Sequence, residues 1–238
     1  MFVGESMTRK VETIGPEAKI FEAREKMMIN EVRHLPVVDE ERRLVGIITD
    51  RDIRSAMPSS LFEKLECSLE DKNSFCELTV QDIMTRDPLS ISSSYTIQDA
   101  ILLIQKERVG ALPVVDEEGK LTGIISIRDL LRAFINVMGI GEPGTLLGVL
   151  SEEKVGEMKK IVDIISEEGL SLGSILVAKS FDKHKRAVFP YVQAMNVIPV
   201  KEKLIQAGFE MIDPLHWYID RLPGQADEDR HGGQSGLK

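Results

Sequence analysis

A stretch of 48 residues occurs twice in this chain, without a gap and 77 positions apart. Met7–Arg54 lies over Met84–Leu131 with about 20 of 48 positions identical. Met7-Thr8-Arg9 returns as Met84-Thr85-Arg86, and Leu35-Pro36-Val37-Val38-Asp39-Glu40-Glu41 returns as Leu112-Pro113-Val114-Val115-Asp116-Glu117-Glu118. A unit this short buries little apolar surface alone, so two copies stacked on each other form the first architectural expectation. The chain has 238 residues, enough for roughly two domains, and the repeat leaves the last third unaccounted for.

Within one unit the hydrophobic period changes in a readable order. Val11–Ile14 and Leu89–Ile91 read as short extended pieces. Pro16-Glu17 predicts a helix start in the first copy, with Ile20, Phe21, Ala23, Met27 and Met28 as its apolar face and the methionines as core filling. In the second copy Thr96 and Asp99 predict a capping box ahead of Ile97, Ala100, Ile101 and Ile104. The strand Leu35–Asp39, a polar turn and the strand Leu44–Ile48 predict a hairpin, repeated 77 residues on. A second helix then begins, so the unit reads β-α-β-β-α.

That second helix opens on the most informative residues. Gly46-Ile47-Ile48-Thr49-Asp50-Arg51-Asp52 and Gly123-Ile124-Ile125-Ser126-Ile127-Arg128-Asp129 each run from a buried strand into a hydroxyl, a basic residue and an acid. A hydroxyl three residues before an acid closes a first helical turn as a capping box. The same groups, with free N–H groups at a helix start, also make a phosphate cradle, the acid gripping a pair of vicinal hydroxyls. Repetition in one register favours the second reading.

Composition removes several function classes. The formal charge is −9, so the average surface repels nucleic acid and anionic membrane. Aromatics are 5% of the chain, with one Trp217, too few for a base-stacking platform. No apolar run has the length of a membrane span, and Met1–Ser6 does not read as a secretory leader. Cys67 and Cys76 form no C-x-x-C pair, which predicts reduced thiols in a cytoplasmic protein. His34, His184, His216 and His231 are scattered, and no nucleophile, phosphate-loop or metal motif accompanies them, so neither an enzyme nor a metal site is expected. Lys183–Arg186 is a basic run that reads as a solvated loop tip, or as an anion or partner contact.

The P-V-V-D hairpin, the G-h-h-[ST]-x-x-D turn and the unit order resemble a cystathionine-β-synthase (CBS) domain, present as a tandem pair. The resemblance implies an α+β fold with two β-α-β-β-α units in a pseudo-twofold disc. It implies two clefts that take adenosine nucleotides (AMP, ADP or ATP), with S-adenosylmethionine or NAD as less favoured adenosyl ligands. By that resemblance Asp52 and Asp129 hold ribose hydroxyls, and Thr49 and Ser126 bond phosphate, with Arg128 beside them. Thr13, Ser90, Arg33, His34, Gly110 and Ala111 match cleft-lining positions. Arg33 and Arg51 read equally as solvated charges, and His34 as a satisfied structural histidine. The copies differ: Arg33-His34 faces Gly110-Ala111 in the alignment, and Asp50 faces Ile127. One cleft is therefore expected to bind differently or stay empty.

After Phe134 the pattern changes. Gly139–Gly144 is a linker by composition. Leu146–Leu150, a helix over Glu152–Glu167, strands Leu172–Val177 and Ala187–Val192 around a basic loop, a helix over Pro199–Ala207 and a strand Phe209–Ile212 follow. That order, βαββαβ, is ferredoxin-like. With Gly156 and Glu168–Ser174 it resembles an ACT domain, a regulatory module that often dimerises and binds amino acids. Lys154-Val155 stand where that family has proline, a departure at the amino-acid site. The domain expectation is 7–57 and 80–135 for the CBS units, 58–79 for an insert covering an edge or a partner copy, and 136–144 for a linker. An ACT-like domain over 145–215 and a disordered tail over 222–238 complete it. A CBS pair followed by an ACT-like domain is similar to the acetoin utilisation protein B type, with Met195–Pro199 a further point of likeness. The whole implies a homodimeric, non-catalytic regulator that senses an adenosine nucleotide and acts on an enzyme partner. The competing expectation is a scaffold whose clefts are vestigial.

Overall fold

In the computed structural model, residues 1–56, 77–182 and 185–212 are described. The expectations for the insert, for Lys183-His184 and for the tail therefore lie wholly or mainly outside the described residues. The chain divides into two compact units, Met1–Ala133 and Phe134–Lys238.

The first unit contains both repeats. Its elements are α1 (Val3–Ser6), α2 (Ile20–Ile29), β1 (His34–Val38), β2 (Leu44–Thr49), α3 (Asp50–Ala56), α4 (Val80–Ile83) and β3 (Thr85–Arg86). They are followed by β4 (Ile91–Ser92), α5 (Ile97–Glu107), β5 (Ala111–Val115), β6 (Leu121–Ser126) and α6 (Ile127–Met138), by which the chain leaves the unit. The hairpins pair in identical register: Leu35 faces Ile48 and Leu112 faces Ile125, each with a bulge after the second-last pair. The acid of each P-V-V-D run closes its turn. Asp39 Oδ1 accepts from Arg43 N at 2.8 Å, and Asp116 Oδ1 from Lys120 N at 2.8 Å.

The repeats are joined by exchange. Thr8 bridges to Ile124 in the second repeat, and Thr85, its counterpart, pairs with Ile47 in the first. Val3 and Met7 lie in the core of the second repeat with Ile91, Ile97, Leu112 and Ile125, whereas Val80 lies in the core of the first with Ile14, Leu35, Val37 and Ile48. Leu44 N donates to Gly119 O (3.1 Å) and Leu121 N to Arg42 O (3.0 Å), which is the same bond seen from either side of a pseudo-twofold axis. The glycines of the repeated turn follow from this exchange. A Cβ on Gly46 would come within 2.4 Å of Met84 Sδ, and one on Gly123 within 2.5 Å of Met7 Sδ.

Exchange also corrects two expectations. The first helix starts at Ile20, not Pro16, because the Pro16 and Ala18 carbonyls accept from Gln81 and Val80 and so serve the start of α4. Phe21 and Met28 are exposed, Met28 by 69%, so the buried stripe is Ile20, Ala23 and Met27 alone. In the second repeat the capping box forms as expected, with Thr96 Oγ1 donating to Asp99 Oδ2 at 2.6 Å.

The second unit has β7 (Thr145–Leu146), β8 (Val149–Glu152), α7 (Glu157–Glu167), β9 (Leu172–Asp182), β10 (Lys185–Val192), α8 (Ile198–Gln206) and β11 (Glu210–Met211). Its antiparallel sheet runs β11-β8-β10 with β9 on the far side of β10, the strand order of a split βαββαβ unit. Ile161, Ile165, Val200 and Leu204 pack the helices onto Val149, Val188 and Val192. The helix expected from Glu152 begins only at Glu157, since Gly156 sits at φ +97, where residues other than glycine are strained, and Val155 is fully exposed. The expected basic loop is mostly strand: the hairpin extends to Asp182 and resumes at Lys185.

Val3→Ala removes two buried methyl groups, at about 0.8 kcal/mol each before any cavity term. The stability loss is expected to be about 2 kcal/mol, and hydrogen exchange is expected to lose more protection across residues 91–130 than across 14–53. Equal loss in both repeats would contradict the exchange.

Candidate functional site

The repeated turn is built the same way twice. Thr49 Oγ1 donates to Asp52 Oδ2 at 2.6 Å, Thr49 N donates to the same oxygen at 2.8 Å, and Asp52 N returns a bond to Thr49 Oγ1 at 3.3 Å. Ser126 and Asp129 repeat this at 2.6, 2.9 and 3.4 Å. The capping box is thus present in both copies, and one oxygen of each acid is committed to it. The hydroxyl protons point at the acids, so a phosphate contact from Thr49 or Ser126 requires the hydroxyl to rotate.

The second carboxylate oxygens distinguish the copies. Asp129 is buried, at 6% exposure, and its Oδ1 is approached by Thr8 Oγ1 and Arg132 Nη1, each at 3.4 Å. These are long for hydrogen bonds to a carboxylate and are displaceable by a better donor. Asp52 is half-buried, and its charge acts on His34. Asp50, the residue that would repel phosphate, is paired with Arg54 at 2.8 Å.

A cavity of about 280 Å³ lies within the first unit, close to the lower end of the ~300–1,000 Å³ usual for small-ligand sites. Its walls are the arm Thr8, Lys10, Val11 and Glu12, the connection Asn30, Val32 and His34, and Ile124 of the other repeat. The arm exchange makes it: Thr8 reaches the cavity because it is bound to β6. Of the residues singled out in the sequence, His34 alone lines this cavity. Thr13 holds the rim through its carbonyl, which accepts from Lys26 Nζ at 2.8 Å. The Arg33 and Gly110 carbonyls accept from Asp50 N (3.1 Å) and Ile127 N (3.2 Å), so both residues support helix starts. Arg33 and Arg128 are exposed, Ser90 is half-buried and Ala111 is buried in β5. Thr8, Lys10, Val11, Glu12, Asn30, Val32 and Ile124 were not singled out as ligand residues. The repeated Met-Thr-Arg run was the available signal for Thr8.

His34 faces Gly110 across the pseudo-twofold. A Cβ on Gly110 would stand 2.7 Å from the imidazole Nε2, so the small residue of one repeat accommodates the large one of the other. Burial holds the His34 pKa below its ordinary value, opposed by the Asp52 carboxylate and assisted by Arg33. Among the described residues no group of three or more His, Cys, Asp or Glu side chains is placed to hold a metal, and no helix is long and apolar enough to cross a membrane.

The CBS domain model matches residues 3–59 and 80–136, the two repeats with their exchanged arms. A CBS domain-containing protein of Dictyostelium discoideum is 33% identical over 139 residues, covering 58% of this chain and 94% of that protein. The chain belongs to the CBS domain family. The plant protein CBSX2 of Arabidopsis thaliana is 30% identical over 152 residues, 57% of this chain and 64% of its own length. Its crystal structure aligns at 29% identity with a TM-score of 0.50, covering 56% of this chain and 94% of that one. CBSX2 has also been solved in complex with AMP, in a structure that aligns with a TM-score of 0.48 at 29% identity, over 56% of this chain and 96% of that one. A Vibrio cholerae protein assigned to acetoin utilisation aligns at 27% identity and a TM-score of 0.50, covering 59% of this chain and 95% of that one. The inosine-5′-monophosphate dehydrogenase of Methanocaldococcus jannaschii is 35% identical over 128 residues, 54% of this chain, but the chain spans only 22% of that enzyme's length.

Folded His34 titrates below its unfolded value, so in the window under pH ~6.5 the unfolded chain binds more protons. Stability therefore falls as the pH drops below that value. Thermal unfolding from pH 7.5 to 5.5 should show a smaller decline in Tm for His34→Gln than for the parent; parallel curves would contradict the burial argument.

Proposed function

We propose that this protein is a non-catalytic regulator that binds an adenosine nucleotide in the clefts of its CBS pair. The observation that carries the reading is the pair of partly buried acids, Asp52 and Asp129. Each is fixed by one oxygen at a helix start and has its other oxygen held by no short hydrogen bond among the described residues. A carboxylate so oriented accepts from ribose hydroxyls, in charge-assisted bonds each worth roughly 1.5–3 kcal/mol. The nearby cavity has apolar walls, Val11, Val32 and Ile124, suited to a purine face. AMP, ADP and ATP are the first candidates, in keeping with the AMP complex of the related plant protein; S-adenosylmethionine and NAD follow.

Occupancy is transmitted to the second unit, which we read as an ACT-like domain on its βαββαβ strand order. The helix that Asp129 caps is the one by which the chain leaves the first unit. The regulated partner is an enzyme, the protein works as a cytoplasmic homodimer, and the Vibrio cholerae likeness supports a role in acetoin or related carbon metabolism. Coupling of this kind requires the nucleotide to bind one state better than another.

A scaffold without a ligand is the second reading, favoured by one observation: the capping boxes account for every motif hydroxyl and acid by themselves. A thermal-shift series with AMP, ADP, ATP, S-adenosylmethionine and NAD separates the two, since a ligand of the native state raises Tm by mass action. A rise with AMP, ADP or ATP is the expected result, and no rise with any of the five supports the scaffold. Asp129→Ala is expected to weaken AMP binding about tenfold or more, or 1.4 kcal/mol per decade. It also removes a helix cap worth about 1 kcal/mol, so calorimetry on the folded variant is the measurement.

A further inference from the structure

The repeat places a second set of wall residues opposite those of the cavity, and the two sets differ in charge. Moving the lining residues by 77 positions carries Thr8 to Thr85, Val32 to Val109 and Ile124 to Ile47, which keeps the hydroxyl and two apolar walls, while Val11 and Glu12 become Pro88 and Leu89. The same step carries Lys10 to Asp87 and His34 to Ala111, and beside them Arg33 to Gly110. The remaining acids compensate on both sides: Glu12 pairs with Lys26 at 3.3 Å, and Glu107, the counterpart of Asn30, pairs with Lys106 at 3.5 Å. What remains is a cation at Lys10 and an acid at Asp87. Neither Lys10 nor Asp87 has an ion-pair partner among the described residues.

We infer that the two clefts divide the adenosyl ligands by charge. The cleft of Lys10 and His34 takes the phosphorylated nucleotide; its mate around Asp87 and Ala111 rejects phosphate and takes adenosyl compounds that carry none. The inference rests on the nucleotide-binding reading above and deepens it. Opposite charges near a dianionic phosphate favour binding at one site and oppose it at the other, and the sign differs by two units between the clefts. Thr8, Val32 and Ile124 have identical counterparts in Thr85, Val109 and Ile47, so the charge difference bears on the group attached to the sugar.

The test is calorimetry on the full chain at pH 7, with AMP and with adenosine. AMP is expected to bind one equivalent per chain. Lys10→Asp, which gives the cleft its mate's residue at an exposed position, is expected to lower AMP affinity at least tenfold and to leave adenosine within about twofold. Two equal AMP sites per chain, unchanged AMP affinity in Lys10→Asp, or an equal loss for AMP and adenosine would overturn the charge division while leaving nucleotide binding in place. Failure of both ligands to bind the parent chain would overturn the nucleotide reading, and this inference with it.

Discussion

Neither repeat completes its own core. Val3 and Met7, at the head of the first copy, are buried among Ile91, Ile97 and Leu112 of the second, and Val80 fills the corresponding place in the first. The strands repeat the trade, Thr8 on Ile124 and Thr85 on Ile47. A unit of this size is marginal alone, and exchange joins two such units into one folding body. The cavity is a by-product of that trade. Its Thr8 wall belongs by sequence to one repeat and by hydrogen bonding to the other, so ligand binding and the pairing of the repeats share the same residues.

The hydroxyl–acid turn shows how a structural device and a binding device coexist. A cap needs one carboxylate oxygen, and a carboxylate has two. Fixing Asp129 Oδ2 against Ser126 orients Oδ1, which among the described residues then meets only the long contacts from Thr8 and Arg132. The capping reading and the cradle reading are therefore not rivals at the level of geometry. Preorganisation by the cap lowers the cost of ordering the acid when a ligand arrives.

Much of this was legible in the sequence because it is carried by period and repetition. The hairpins, the capping box at Thr96 and the strand order of the second unit follow from local chemistry. What was not legible depended on partners distant in sequence. Pro16 signals a helix start, yet its carbonyl serves α4, so the helix begins later. Met28 fits the helical stripe of Met27 but lies outside the exchanged core. The cavity lining was missed for the same reason: apart from His34, its residues carry no motif of their own, and the exchange gathers them.

Duplication supplies two clefts with one design, and divergence at a few wall positions then changes what each can hold. His34 illustrates the constraint on such changes. Its ring stands where a Cβ on Gly110 would fall, so a large residue in one repeat requires a small one at the facing position of the other. A side chain at Gly110 therefore requires the His34 ring to move. The pseudo-twofold brings wall positions of the two repeats into contact, so a change of size at one is felt at the other. Asymmetry between the clefts is in this sense a packing consequence of joining two copies face to face.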